Sequence, residues 1–235
     1  MRLLSGDLSP YSAKIRMQIY AMDIADDFVF DLPLAEFVTG RLKDISPLGR
    51  IPILETEHGA IPESEVIAEY IDEMYPERSM LGQTPIERAN VRVISRIGDT
   101  YLLNNVFLCL GQLATPDRNQ GVIDLLMGQL LRGAVALEEH LPSQGYATGG
   151  EVLTRADCSL VPALYMCDRT VPRLGVANPI VGHPKTEAYW ARIQENEHAA
   201  RIIAEMDRGL KARLDGTEQQ RVQEAMEAAA ALTKR

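Results

Sequence analysis

Residues 51–64 read Ile-Pro-Ile-Leu-Glu-Thr-Glu-His-Gly-Ala-Ile-Pro-Glu-Ser, and their order decides the fold of the first third of the chain. Ile51 to Leu54 and Ala60-Ile61 are two short apolar runs joined at His58-Gly59, the pattern of a strand hairpin. Beyond them, Ser64 to Tyr75 carries Val66, Ile67, Tyr70, Ile71 and Met74 on one side of a predicted helix that Pro76 stops. Upstream, Arg2-Leu3-Leu4 is a strand candidate followed by a loop through Asp7. Ile15, Ile19 and Met22 recur at helical spacing between Pro10 and Asp23. Phe28 to Phe30 form a second strand, and a polar, loosely helical stretch runs to Asp44. The resulting order, β-α-β-α-β-β-α, has a parallel crossover first and a hairpin last. It predicts a small three-layer α/β unit over residues 1–76.

The rest reads as helix. A linker is expected at 77–83 and an all-helical domain over 84–235. Thr84-Pro85-Ile86-Glu87 is a capping box with proline at the first helical position. Gly121 to His140 predicts a second long helix with Val122, Leu125, Leu126, Leu130, Ala134 and Leu137 buried. A third opens at Thr154-Arg-Ala-Asp157, with Leu153 and Cys158 spaced as a hydrophobic staple. Shorter helices are expected around 186–194 and 199–210. A last one runs from Thr217 to the end, opening on a Thr-x-x-Gln box with Val222, Met226 and Ala229 on one side.

Hydrophobic residues make up 46% of the 235 and charged residues 24%, as in ordinary globular chains. The net charge of −9, with no basic face, argues against a nucleic-acid partner. The most apolar segment, Tyr101 to Ala114, is interrupted by Asn104, Asn105, Gly111 and Gln112, so no membrane span is expected. No export signal is read at the N-terminus, and a cytoplasmic location is the default expectation. Cys109, Cys158 and Cys167 lack CxxC spacing and histidine neighbours, which predicts reduced core thiols. His58, His140, His183 and His198 are scattered and suggest neither a metal site nor a triad.

Four motifs carry a resemblance. Ser9-Pro-Tyr-Ser-Ala-Lys-Ile-Arg16 resembles the start of helix 1 in glutathione transferases and glutaredoxins, where a Cys or Ser is followed by basic residues five and seven positions on. Ser46-Pro-Leu-Gly-Arg-Ile-Pro-Ile-Leu54 is similar to the segment bearing that family's cis-proline, which points to Pro52. Glu63-Ser64 looks like the acid-Ser pair opening helix 3, and Thr154 to Asp157 matches the capping box of the core helix in the second domain. The chain thus resembles the cytosolic glutathione transferase superfamily, bacterial Ser-type. The resemblance implies a thioredoxin-like N-terminal domain followed by an all-α domain. It also implies a homodimer, with glutathione as co-substrate and no metal.

A glutathione thiol is mostly protonated at neutral pH, whereas conjugation needs the thiolate. By the resemblance Ser9 donates its hydroxyl to that sulfur; read from the residues alone, Ser9 is equally an N-cap before Pro10. Tyr11 and Ser12 lie within reach of the same sulfur, without the family spacing. With Ser at both ends of the Ser9–Ser12 motif, a mixed disulfide with glutathione is disfavoured there. Ile51, ahead of Pro52, is expected to pair with the cysteinyl part, Glu63 with the ammonium, Ser64 with the γ-glutamyl carboxylate, and Arg50 with the glycyl carboxylate. Tyr11, Tyr101 and Asn105 are expected to line the second-substrate pocket. Asp99 is a candidate for reaching glutathione across a dimer interface, and Asp157 is assigned to capping. The expected reaction is attack of glutathione on a small electrophile by conjugation, dehalogenation, ether cleavage or isomerisation. The competing reading is a non-enzymatic protein of the same fold that binds a protein partner.

Overall fold

A computed structural model describes residues 1–113 and 116–232. The chain forms two compact units, one of Met1–Arg78 with Ala204–Arg235 and one of Ser79–Ile203. The sequence reading groups all of residues 84–235 together, whereas the returning end of the chain, from Ala204, belongs with the first unit.

The first unit is built on a four-stranded sheet in the order β2-β1-β3-β4, with β1 Arg2–Leu4, β2 Val29–Asp31, β3 Ile53–Thr56 and β4 Gly59–Pro62. β1 runs parallel to β2 and antiparallel to β3, and β3 and β4 form the expected hairpin. The hairpin turns at Glu57-His58 rather than His58-Gly59, because Thr56 Oγ1 accepts the His58 N–H at 3.1 Å and donates to the Gly59 carbonyl at 2.9 Å. Helices α1 Pro10–Ala21, α2 Leu34–Thr39, α3 Leu42–Ile45 and α4 Ser64–Met74 complete the layers. Side chains alternate across a strand, so neighbours Leu3 and Leu4, both fully buried, serve opposite faces. Leu4 and Ile53 pack on Leu42 of α3, with Ile45 and Ile51 alongside. Leu3 and its cross-strand partner Leu54 face the other layer, where α4 packs on α1 and against β3 and β4. Gln18 joins the two helices by donating to the Ala68 carbonyl at 2.9 Å.

In the second unit the described residues are helical apart from connecting loops. The helix α5 Pro85–Arg96 opens on the predicted box: Thr84 Oγ1 accepts the Glu87 N–H at 3.3 Å, and Glu87 accepts the Thr84 N–H at 3.0 Å. It continues through a π-type segment, Ile97–Leu103, into α6 Asn104–Leu113. Helix α7 Gln120–His140 packs on that π segment at Gly133, where a Cβ would lie 2.6 Å from Tyr101 Cβ. Its buried stripe is Ile123, Leu126, Leu130, Gly133, Ala134 and Leu137; Val122 and Leu125 are exposed, so the expected stripe was rotated by one residue at its N-terminal end. Helices α8 Arg155–Tyr165 and α9 Pro184–Ile193 complete the unit, and α10 Glu197–Leu214 leads out of it.

The last helix, α11 Thr217–Leu232, packs on α2 within the first unit. Residues 233–235 of the helix expected to reach the end lie outside the described residues. Asp215 Oδ1, rather than a Thr217-Gln220 box, receives the first free amide, that of Thr217, at 3.0 Å. Val222, Ala225 and Ala229 form the half-buried side, whereas Met226 is exposed. The three cysteines are buried free thiols, and burial pushes the Cys167 thiol up to about 12.

Candidate functional site

Strand register assembles the candidate residues. Leu4 pairs with Ile53, and Ile53 pairs with Pro62, so these three residues form one row across β1, β3 and β4. The chain leaves Leu4 towards Ser9, enters Ile53 from Ile51-Pro52, and leaves Pro62 into Glu63-Ser64. All three connections therefore emerge at the same end of the sheet. From β1 to β4 is two strand spacings, about 10 Å. An extended stretch of three residues spans about the same distance, 10 Å.

At the β1 connection, Ser9 is the N-cap of α1 and Pro10 its first residue. The Ser9 Oγ accepts the Ser12 N–H at 3.3 Å. A hydroxyl has two acceptor sites and one proton, so the cap uses an acceptor and leaves the O–H available to donate outward. The cap reading and the donor reading of Ser9 are therefore compatible. Ser12 is fully buried and its Oγ has no hydrogen-bond partner among the described residues. Tyr11 is half-buried in the first turn of α1.

The two cations on α1 are both inside the unit. Lys14, 1% exposed, is ion-paired to Glu65 in the first turn of α4. Arg16, 4% exposed, donates from Nε to Glu205 Oε2 at 2.7 Å, from Nη1 to Ser5 Oγ and to the Gly6 carbonyl at 3.0 Å, and from Nη2 to the Asp7 carbonyl at 3.2 Å. The spacing seen in sequence thus ties α1 to α4 and to the loop before Ser9. Both cations serve the scaffold.

The Ile51–Pro52 peptide is cis. Ile51 precedes β3 by two residues and lies outside the strand ladder, and Arg50 beside it is exposed.

The start of α4 is unusual. Glu63 adopts φ 71° and ψ 115°, one of two non-glycine residues with positive φ among the described residues. The other, Asp23, follows the end of α1, where left-handed backbone is common. Glu63 has no such excuse, and a conformation of this kind costs on the order of 1–3 kcal/mol. Its side chain makes no capping bond. Ser64, the first residue of this 11-residue helix, is buried at 8% exposure. The amides and the positive dipole end at a helix start in general favour an anion.

The remaining candidates lie in the second unit. Tyr101 is 41% exposed on the π segment. Asn105 is buried, and its amide donates to the Tyr101 carbonyl at 2.7 Å. A π-type turn widens the helix and frees a carbonyl, and the Asn105 amide fills that gap. Asp99 is buried in the same segment. Asp157 accepts from the Thr154 N–H and hydroxyl, the Ala147 N–H and the Tyr189 hydroxyl, all at 2.8–2.9 Å. Burial pushes its carboxyl above the usual range, and these four donors pull it only partly back. Thr154 gives its own hydroxyl to Asp157, so the acid is the centre of this cap. Among the described residues no group of three or more His, Cys, Asp or Glu is placed to hold a metal ion, and no helix is long and apolar enough to cross a membrane.

Sequence reasoning missed three features: the strain at Glu63, the partners of Arg16, and the use of Asn105. The partners of Arg16 are not written in local residue order. The 189-residue separation of Arg16 and Glu205 illustrates why.

Comparison with known proteins matches residues 3–79 to the glutathione S-transferase N-terminal domain and residues 95–197 to the glutathione S-transferase C-terminal domain. A glutathione S-transferase of Pseudomonas putida is 26% identical over 170 residues, covering 72% of this chain and 77% of the relative. A probable maleylacetoacetate isomerase of Caenorhabditis elegans is 31% identical over 140 residues, covering 58% and 64%. Matches to the curated relatives span 39% to 77% of those proteins' own length. Among solved structures, a glutathione S-transferase of Methylobacillus flagellatus with GSH bound superposes with a TM-score of 0.75 at 21% identity, covering 86% of this chain and 98% of that one. At that identity the likeness is one of fold.

Proposed function

The chain belongs to the glutathione transferase superfamily, and from that premise we propose that it binds glutathione along the row Leu4–Ile53–Pro62 and activates the thiol at Ser9. The observation that carries this reading is the strand register, which brings the strained start of α4, an unladdered backbone and a capping hydroxyl to one end of one sheet. In this proposal the γ-glutamyl carboxylate sits on the first amides of α4 and the Ser64 hydroxyl. Glu63 receives the ammonium, and its strained backbone aims it there. Ile51 pairs with the cysteinyl backbone, and Arg50 takes the glycyl carboxylate.

The sulfur then reaches the start of α1. A hydrogen bond from the Ser9 hydroxyl and the positive end of α1 both favour the anion over the thiol. The thiolate attacks an electrophilic carbon, and a small electrophile is the proposed second substrate. The names of the relatives include transferases and isomerases, so the class of electrophile stays broad within the proposal. The proposed working form is the homodimer that the family resemblance implies.

The test is a titration of the thiol of bound glutathione in the wild type and in Ser9→Ala. The expected result is similar affinity with a thiol pKa raised by about one unit, as one hydrogen bond to a charged group is worth on the order of 1.5–3 kcal/mol. An unchanged thiol pKa would remove Ser9 from the mechanism. Glutathione binding with no turnover of any electrophile would instead favour the partner-binding reading.

A further inference from the structure

We infer that the end of α10 belongs to the thiol-activating apparatus: Glu205 and Arg208, acting through Arg16 and Asp7, are positioning residues for the Ser9 hydroxyl. The inference rests on the reading of Ser9 above and adds a region of the chain that the N-terminal motifs do not contain.

Ser9 stands at the end of a tight turn in which its N–H donates to the Gly6 carbonyl at 3.1 Å. That same carbonyl accepts from Arg16 Nη1 at 3.0 Å, and the next carbonyl, of Asp7, accepts from Nη2 at 3.2 Å. Arg16 therefore grips the turn by its backbone. The guanidinium is itself aimed by Glu205, whose Oε2 takes its Nε–H at 2.7 Å while Oε1 takes the Tyr20 hydroxyl at 3.1 Å. With both carboxylate oxygens engaged, Glu205 has little freedom, and neither has the planar fork it holds. One turn further along α10, Arg208 closes two bonds to the Asp7 carboxylate, at 2.8 and 3.1 Å. Between these contacts Gly209 lets the helix backbone reach the turn: a Cβ there would stand 2.6 Å from the Leu8 nitrogen and 2.8 Å from its Cβ. Three consecutive residues before Ser9 are thus held from α10, by charge at Asp7, by backbone contact at Leu8, and through Arg16 at Gly6.

A hydroxyl that stabilises a thiolate must meet the sulfur at hydrogen-bond distance, and displacements near 1 Å are costly in rate. Residues that fix the turn therefore fix the acidity of the bound thiol. The contacts named above lie at the turn before Ser9, so affinity for glutathione should be spared.

The experiment measures, in the full chain, the pKa of glutathione's thiol when bound, the kcat and KM with an activated aryl halide, and the melting point. The variants are Glu205→Gln, Arg208→Ala, Arg208→Lys, Ser9→Ala and the Ser9→Ala/Arg208→Ala double. Arg208 is 63% exposed, so its removal keeps the fold even if Glu205→Gln does not. The expected result for Arg208→Ala is a raised thiol pKa and a kcat lower by roughly threefold or more, with the glutathione KM held within about twofold. Partial recovery is expected in Arg208→Lys, and no further rise when Arg208→Ala is added to Ser9→Ala. A lowered melting point with an unmoved thiol pKa would overturn the inference and leave Ser9 in place. A rise in Arg208→Ala that persists without the Ser9 hydroxyl would overturn it too. Should Ser9→Ala leave the thiol pKa unchanged, the reading of Ser9 falls and this inference falls with it.

Discussion

The starts of α8 and α4 each bring a hydroxyl and an acid to the head of a helix, Thr154 with Asp157 and Glu63 beside Ser64, and they are opposites in structure. At α8, Asp157 is buried with four donors on its carboxylate, all supplied by the chain. At α4, Glu63 is held at a φ of 71°, and its side chain makes no capping bond. A helix start that is satisfied from within stabilises the fold. One that is left open, at a cost in backbone strain, keeps its hydrogen-bonding capacity for something that arrives later. On the proposed reading the difference separates a structural acid from a ligand-binding one, and substitutions at the two starts should separate along the same line.

The largest effect is expected from Asp157→Ala, which strands several buried donors. Unfolding by urea should show a loss on the order of 3–5 kcal/mol, with glutathione affinity unchanged in whatever remains folded. An equally large loss of affinity would erase the contrast between the two starts. Next comes Ser64→Ala, which removes a hydrogen bond to a proposed carboxylate. Calorimetry should show affinity falling by roughly tenfold or more, while stability moves by less than about 0.5 kcal/mol.

Glu63→Gly tests the strain itself. Relief of the backbone should raise stability by about 1 kcal/mol while binding weakens, because the proposed ammonium partner is gone. A variant that is less stable and still binds would show that the conformation serves the fold. The smallest effect concerns a third helix start, that of α9, which Glu138 of α7 caps by accepting from the Lys185 and Thr186 amides at 2.9 Å. Burial alone would raise the Glu138 carboxyl, but these donors outweigh it and leave it below the ordinary range. A depressed folded pKa stabilises above the ordinary carboxylate range and loses that contribution as pH falls through the lowered value. Glu138→Gln should therefore cost about 1 kcal/mol near neutrality and progressively less in acid, read by melting curves across pH.

Much of this was legible in residue order, because helix boxes, prolines and hairpin spacing are local signals. Thr84 with Glu87, the segment around Pro52 and the sequence of strands needed no knowledge of the rest of the chain. What failed was set by neighbours in space. Val122 and Leu125 are apolar and correctly spaced, yet both are exposed, and Ile123 joins the expected Leu126 in the interior as α7 packs on the π segment. Asn105 is polar on an apolar helix, and its sequence neighbours do not announce a freed carbonyl. Ser64 is a capping residue by type, but it is the first helical residue, one position past the N-cap Glu63. The acids and arginine of α10 are ordinary helix-surface residues until the fold returns them to the turn before Ser9.

The most direct test of the account is a thermal-shift titration of the full chain with millimolar glutathione, run in parallel on the wild type and Ser64→Ala. A ligand that binds only the native state must raise the melting point by mass action, by roughly 5 °C when its concentration is a hundred times Kd. The account predicts that rise in the wild type, and in Ser64→Ala a smaller one at the same concentration. A melting point indifferent to glutathione in the wild type would contradict it.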